Sequence, residues 1–400
     1  MGRSASLPKG AGAMKSFILI PDSFKGTMSS TEICGIMAEA IKAHIPDACV
    51  RGIPVADGGE GTVEAFLAAV GGERRECSVT GPRFEKISSF YGVLSDGKTA
   101  VVEMSAAAGL PLMDGRLDVL GGTTFGVGEL ILEAVRGGAK QVIIGLGGSA
   151  TNDGGCGAAA ALGVVFRDGE GRSFIPTGGT LSSVASVQSC GLARELKDVR
   201  ITAMCDIDNP LYGERGAAYV FAPQKGASRE TVPLLDAGLR HLHDTVKRCL
   251  GADRAQDRGA GAAGGMGYGL AALLGAELKM GIDVVLDAVG FDELLRGADC
   301  VFTGEGKIDS QSLGGKVVIG ISRRAKKFGV PVVAVVGDVG DDIGGAYDEG
   351  VSAVFPINRV AVPYSEARLR ARGDLRLTVE DVVRLIKAVE ERRSDIRSLS

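Results

Sequence analysis

Glycine gathers where short apolar runs stop, and that placement constrains the fold more than any other feature of this chain. There are 61 glycines among 400 residues, about twice the common share of ~7%. They fall in clusters without a fixed period, which excludes a collagen-like rod or a flexible linker. A glycine cluster after a buried strand marks a loop where the backbone turns sharply or approaches a ligand closely.

The apolar runs alternate with helical stretches. Residues 17–20 read as a short buried strand, and 31–44 carry helix-spaced apolar residues, with Ser29 or Ser30 able to cap them. A helix is expected at 62–70. Residues 75–105 differ in texture: alternating segments broken by turn signals at 81–82 and 96–97 read as antiparallel strands. The α/β rhythm returns with a helix at 126–136, a strand at 141–144 and an alanine-rich helix at 157–162. Residues 164–285 are mixed and include a helix at 232–250, on which His241 and His243 read as ordinary helix positions. The last hundred residues add strands at 300–303, 331–336 and 353–357 and helices at 317–328 and 379–391.

The expected architecture is two-domain α/β. A Rossmann-like parallel-sheet domain (14–70, 120–163, 290–400) is interrupted by a second mixed α/β domain (71–119, 164–289), with an active cleft between them. Residues 1–13 lack an apolar signal core and are expected to be a disordered extension, with Met14 as a second possible start.

Composition closes off several functions. Lys and Arg total 45 against 49 Asp and Glu, a net charge of -4, so no general basic field holds nucleic acid. Trp is absent and aromatics are 5%, which supplies base-stacking platforms poorly. No apolar run reaches the ~20 residues of a membrane span. The eight cysteines form no CxxC pair and lie far from the three histidines. Zinc and a disulfide framework are therefore disfavoured, and mostly buried thiols in a reducing, cytoplasmic setting are expected.

The chemistry gathers in polar, glycine-containing loops. Asp22, Ser23 and Lys25 follow the first strand, where parallel sheets bind ligands. Asp57 and Glu60 sit among glycines ahead of a helix, a set that suits a ligand or a metal, or only a charged first turn. The loop 145–155 (GLGGSATNDGG) joins a buried strand to the alanine-rich helix and can turn amides and a helix N-terminus toward phosphate. It also fits G-x-G-x-x-A at Gly145, Gly147 and Ala150 with Asp168 downstream, the dinucleotide fingerprint. Asp206 and Asp208 end another strand as a base or Mg2+ set, or an Asx turn. Lys225 adds a cation, and Glu305, Lys307 and Asp309 follow a later strand. Together these loops describe a site for a phosphorylated ligand with Mg2+.

At these residues the chain resembles the bacterial-type glycerate kinase family, first class. The matching segments are PDSFKG (21–26), ADGGEG (56–61), GLGGSATNDGG (145–155), CDIDNPL (205–211), PQKG (223–226), GAAGG (261–265) and GEGKIDSQS (304–312), in the family's order. The chain departs from the pattern at Arg83–Phe84 and at 118–122, which touches local loop contacts rather than the reaction. The resemblance implies ATP-dependent phosphorylation of D-glycerate with Mg2+, at C2 in preference to C3.

For such a reaction, Gly147, Gly148, Ser149, Thr151 and Asn152 are expected at the ATP phosphates. Ser23, Lys25, Asp57, Glu60 and Lys225 are expected at the substrate, and Asp153, Glu305 and Asp309 at the metal, with Asp206 a further metal candidate. Asp206 is preferred to Asp22 as the base, and Lys25 joins them at the reacting centre. The alternatives are a nicotinamide-dependent oxidoreductase of a small hydroxy acid, a kinase for another hydroxy acid, and a phosphoanion-binding regulator.

Overall fold

The structure, a computed structural model, describes residues 14–56, 58–310 and 312–398. The extension 1–13 and Asp57 lie outside the described residues. The chain forms two compact units: residues up to Ala56 together with those from Ile282 onward, and the segment Asp57–Gly281 inserted between them. It is a two-domain α/β fold.

The first unit is built on five parallel strands, in the order Val351–Pro356, Val332–Val336, Cys300–Gly304, Ser16–Pro21, Cys49–Gly52. Ser16–Pro21 and Cys300–Gly304 are buried along their whole lengths, as parallel strands covered on both faces must be. Phe17, Leu19, Phe302 and Val335 share one core with Ile33, Met37 and Ile41 of the helix Ser30–His44. Ser29 caps that helix by accepting from the Glu32 amide at 3.2 Å. The strand order reverses between Ser16–Pro21 and Cys300–Gly304: from one the chain moves outward to Cys49–Gly52, from the other to Val332–Val336. The carboxyl ends at such a reversal are where open parallel sheets take ligands.

The closing helix of this unit spans Tyr364–Ser398 and begins well before the expected 379. Ala371, Leu375, Val379 and Val383 recur every fourth residue and are buried against the sheet. Interleaved arginines hid this stripe in the sequence. They form i,i+4 pairs, Arg370 with Asp374 at 3.3 Å and Arg376 with Glu380 at 2.9 Å.

The second unit carries six strands, in the order Glu277–Lys279, Arg200–Met204, Gln141–Gly145, Thr99–Glu103, Lys86–Leu94, Gly72–Thr80. The first four are parallel, and the last two add antiparallel pairs, as their alternating texture predicts. Val102, Val142, Ile144 and Ala203 of this sheet pack with Val127, Leu130 and Ile131 of the helix Phe125–Arg136. A second core lies under the helix Thr231–Leu250, whose Leu235, Leu239, Leu242 and Val246 meet Phe166 and Val187. On that helix His243 is buried, its Nε2 3.3 Å from Asp253 Oδ1.

These pairings correct the expected domain boundaries. Residues 57–70 and 120–163 belong to the inserted unit, and 282–289 to the first. Gln141–Gly145 pairs with Thr99–Glu103 and Arg200–Met204. A wholly buried parallel strand reads alike in either sheet, and long-range packing decides where it lies. All eight cysteines are free thiols. Cys34, Cys156, Cys205 and Cys300 are buried, while Cys49, Cys190 and Cys249 are exposed, fewer buried than expected. No described helix is long and apolar enough to cross a membrane.

Candidate active site

In the first unit the two adjacent strands at the order reversal end in the two charged motifs, with Pro21 in register with Gly304. The Asp22 amide donates to Gly304 O at 2.8 Å, and the Ser23 amide to Asp22 Oδ1 at 2.6 Å. Asp22, Ser23 and Asp309 are half-buried and Lys25 is exposed. A hollow of about 450 Å³ opens beside Ser23, Lys25, Thr27 and Ser29. Glu305 is buried, and its Oε1 has no hydrogen-bond partner among the described residues. Burial pushes its carboxyl up to about 7, and the charges of Asp22 and Asp309 push the same way against Ser312 and Lys316.

In the second unit the parallel strands end in register at Glu103, Gly145 and Met204, so the motif loops that follow emerge together. Glycine serves here to let backbones touch. The Gly147 amide donates to Gly58 O at 2.8 Å, and a Cβ on Gly147 would stand 2.5 Å from Gly59 Cα. The loop 261–265 closes on the other side: Gly154 N–H donates to Gly264 O at 3.1 Å. A Cβ on Gly264, at φ +68°, would meet Thr151 O at 2.0 Å. Three motifs distant in sequence thus interlock.

Asp153 is fully buried beneath this loop. Its Oδ2 accepts from the Thr124 amide (2.8 Å), the Thr124 hydroxyl (2.7 Å) and the Gly157 amide (3.2 Å), and its Oδ1 from the Gly155 amide (3.0 Å). Burial raises its carboxyl, and these donors counter the rise. Four donors make it a strut, a geometry that does not suit the expected metal role. Asp153 and the Thr124 hydroxyl, which takes the Ala158 amide at 2.9 Å, also consume amides at the start of the helix Cys156–Ala161. That helix end therefore does not offer them to phosphate.

Lys225, expected at the substrate, is instead buried against the loop. Its Nζ donates to Ser149 Oγ at 2.5 Å and to Thr151 O at 2.7 Å. Burial lowers its amine to about 7, while Asp153 pulls the other way. A neutral amine has two N–H groups, enough for both bonds. The Gly147 amide is used by Gly58 and the Ala150 amide by Ala108 O. The amides of Gly148, Ser149, Thr151 and Asn152 have no protein acceptor among the described residues. Thr151 Oγ1 and both ends of the buried Asn152 amide likewise have no partner there. The N–H and O–H groups among these are the part of the loop able to receive phosphate oxygens.

Asp206 is half-buried beyond Met204 and accepts from the Gly281 amide at 2.7 Å. Glu60 is exposed. Asp168 takes the Glu170 and Arg172 amides at 2.9 and 3.0 Å in a turn after the short strand Val165–Arg167. Its oxygens are engaged within that turn and by the Arg172 side chain, which gives the oxidoreductase reading no support. Sequence reasoning missed Glu103, whose only signal was a carboxylate closing an apolar strand. It is buried, and its Oε1 accepts from the Val63 amide at 2.7 Å.

Residues 17–387 match the glycerate kinase family. The chain belongs to that family. It is 44% identical over 371 residues to a glycerate kinase of Bacillus subtilis (strain 168), covering 92% of this chain and 97% of that one. It is 46% identical over 341 residues to a glycerate 2-kinase of Escherichia coli (strain K12), covering 85% and 90%. A crystal structure assigned as glycerate kinase 2 from Salmonella typhimurium LT2 is similar with a TM-score of 0.83 and 39% identity, over 95% of this chain and all of that one. As a member of this family the chain is an enzyme, a kinase.

Proposed function

We propose that this kinase transfers the γ-phosphoryl group of ATP to D-glycerate, giving 2-phosphoglycerate. The observation that carries this reading is the interlocked loop 145–155, with unpaired amides and buried polar side chains at the carboxyl edge of a parallel sheet. The name of the Escherichia coli relative favours C2 over C3. Free thiols throughout fit a reducing, cytoplasmic setting.

Phosphoryl transfer is mainly positioning and charge neutralisation. The C2 hydroxyl oxygen bonds to the γ-phosphorus, the bond to the β,γ-bridging oxygen breaks, and its electron pair leaves on ADP. Gly148, Ser149, Thr151 and Asn152 hold the ATP phosphates, while Lys225 and Asp153 keep their loop in shape. Ser23 and Lys25 bind the carboxylate or the moving phosphoryl group, and Glu60 lines the acceptor's surroundings. Asp206 takes the hydroxyl proton, its carboxylate held by the Gly281 amide.

Mg2+ suits the first unit's donors. The partnerless oxygen of Glu305 is a ligand of the kind a hard cation takes, and Asp309 lies in the same unit. Among the described residues no three metal-ligating side chains converge; an ion bound here would take one or two carboxylates and complete its shell with phosphate and water. Glu305 and Asp309 would hold it, and the ion would neutralise charge on the phosphate oxygens.

Phosphorus NMR of the product from D-glycerate and MgATP tests the reaction: a 2-phosphoglycerate resonance is expected. A 3-phosphoglycerate resonance overturns the position, and turnover of another hydroxy acid instead of glycerate overturns the substrate. Lys25→Ala should lower kcat/KM by about 100-fold, the scale of losing one cationic clamp, with an unchanged melting temperature. Near-normal turnover removes Lys25 from the mechanism.

A further inference from the structure

Glu103 is a buried acid that the mechanism above does not use. It ends the strand Thr99–Glu103, in register with Gly145, and is 1% exposed. The helix Thr62–Val70 starts after Gly61, whose backbone is left-handed and whose side-chain cap is missing. Glu103 supplies the cap from a different strand, taking the amides of Val63 (2.7 Å) and Gly61. A carboxyl oxygen facing a helix start with no cap of its own satisfies orphan donors there.

That helix start is continuous with the loop 58–61. Thr62 Oγ1 donates to Gly59 O at 2.6 Å, and Gly58 O takes the Gly147 amide. The other oxygen of Glu103 lies 3.4 Å from Ser105 Oγ. Ser105 in turn backs the phosphate loop: a Cβ built on Gly148 would stand 3.2 Å from Ser105 Cβ. One carboxylate therefore touches the supports of the loop 145–155 on two sides.

We infer that Glu103 is a positioning residue that sets the height of the loop 145–148 through the loop 58–61 and Ser105. It acts by accepting hydrogen bonds and not by its charge, and it touches neither substrate. The inference rests on the reading that this loop holds the ATP phosphates. A displacement of about 1 Å in such a loop is enough for a large kinetic loss.

The experiment is steady-state kinetics of the full chain with MgATP and D-glycerate, for Glu103→Ala, Glu103→Gln and Gly147→Val. Glu103→Ala should raise the KM for ATP by about tenfold and lower kcat, while the KM for glycerate stays within about twofold. Glu103→Gln keeps an oxygen for the amides and an N–H for Ser105, so it should stay within about threefold of the parent. Equal impairment of the Gln and Ala variants, or an unmoved KM for ATP in the Ala variant, overturns the inference. Gly147→Val separates the two readings. If it leaves ATP affinity unchanged, the phosphates do not bind at this loop. If it weakens ATP and Glu103→Ala does not, the bracing role alone falls. Should the Ala variant fail to fold, the Gln variant decides: near-parental kinetics support the hydrogen-bond role, and a large loss overturns it.

Discussion

The two units meet the same demand, loops at the carboxyl ends of parallel strands, in opposite ways. In the first unit most of the site's polar groups stay half in water, with Glu305 the buried exception: Asp22, Ser23 and Asp309 are half-buried and Lys25 is exposed. In the second, Thr151, Asn152, Asp153 and Lys225 are all buried and the backbones of three motifs touch. A solvated set can adjust to a ligand at low cost. A buried set has its geometry decided at folding, because a polar group left unpaired there is costly. The contrast teaches that glycine-rich motifs of equal prominence in sequence perform different work: some relax a turn, others remove side chains so that loops can interlock.

The sharpest way to break this contrast is one substitution made twice. Gly264 and Gly26 both have positive φ, +68° and +75°. A Cβ on Gly26 meets nothing within 4 Å, while one on Gly264 strikes Thr151 O. Gly26→Ala should cost about 1–2 kcal/mol of stability, the left-handed strain alone. Gly264→Ala should cost more than about 3 kcal/mol, with kcat/KM down about 100-fold as the loop shifts. Urea unfolding and kinetics read both, and equal losses would mean that the loops are not interlocked.

A smaller effect separates two aspartates. Asp153→Asn places an amide N–H against a ring of donors and should destabilise by about 2–3 kcal/mol. Asp309→Asn, in the solvated set, should change stability by less than about 0.5 kcal/mol and weaken Mg2+ dependence instead. Similar unfolding midpoints for the two would erase the distinction.

A third test is a pH slope. Lys225 titrates at about 7 in the fold against an ordinary 10.5. Between those values the unfolded chain holds a proton that the folded chain has shed. Its contribution to stability therefore rises with pH across that window, and the full cost of the buried charge applies below about 7. The stability of the parent relative to Lys225→Met should climb from about pH 7 to 10 and run level below. A level difference throughout would put the amine in water.

Much of this was legible beforehand. The motifs PDSFKG and GEGKIDSQS could be placed at strand ends because FILI and CVFT are short apolar runs with no other use. The antiparallel stretch was visible in its alternation and turns. What stayed hidden depended on distant partners. Nothing in QVII says which sheet it joins, and Lys225 reads as a surface cation until its neighbours are known. The glycines of 145–155 suggest room for a ligand, when several of them face glycine 58, 59 or 264. The closing helix was truncated because Arg370, Arg372 and Arg376 obscure a stripe that only burial reveals.

The insertion of one unit within the other has a consequence for biosynthesis. Ser16–Pro21 is an interior strand whose neighbour Cys300–Gly304 leaves the ribosome hundreds of residues later, and the closing helix of the same core comes last of all. The inserted segment is complete by Gly281 and can mature while its host is still an unpaired fragment. Protease challenge of stalled nascent chains should find the insert resistant first, with its host following only after release.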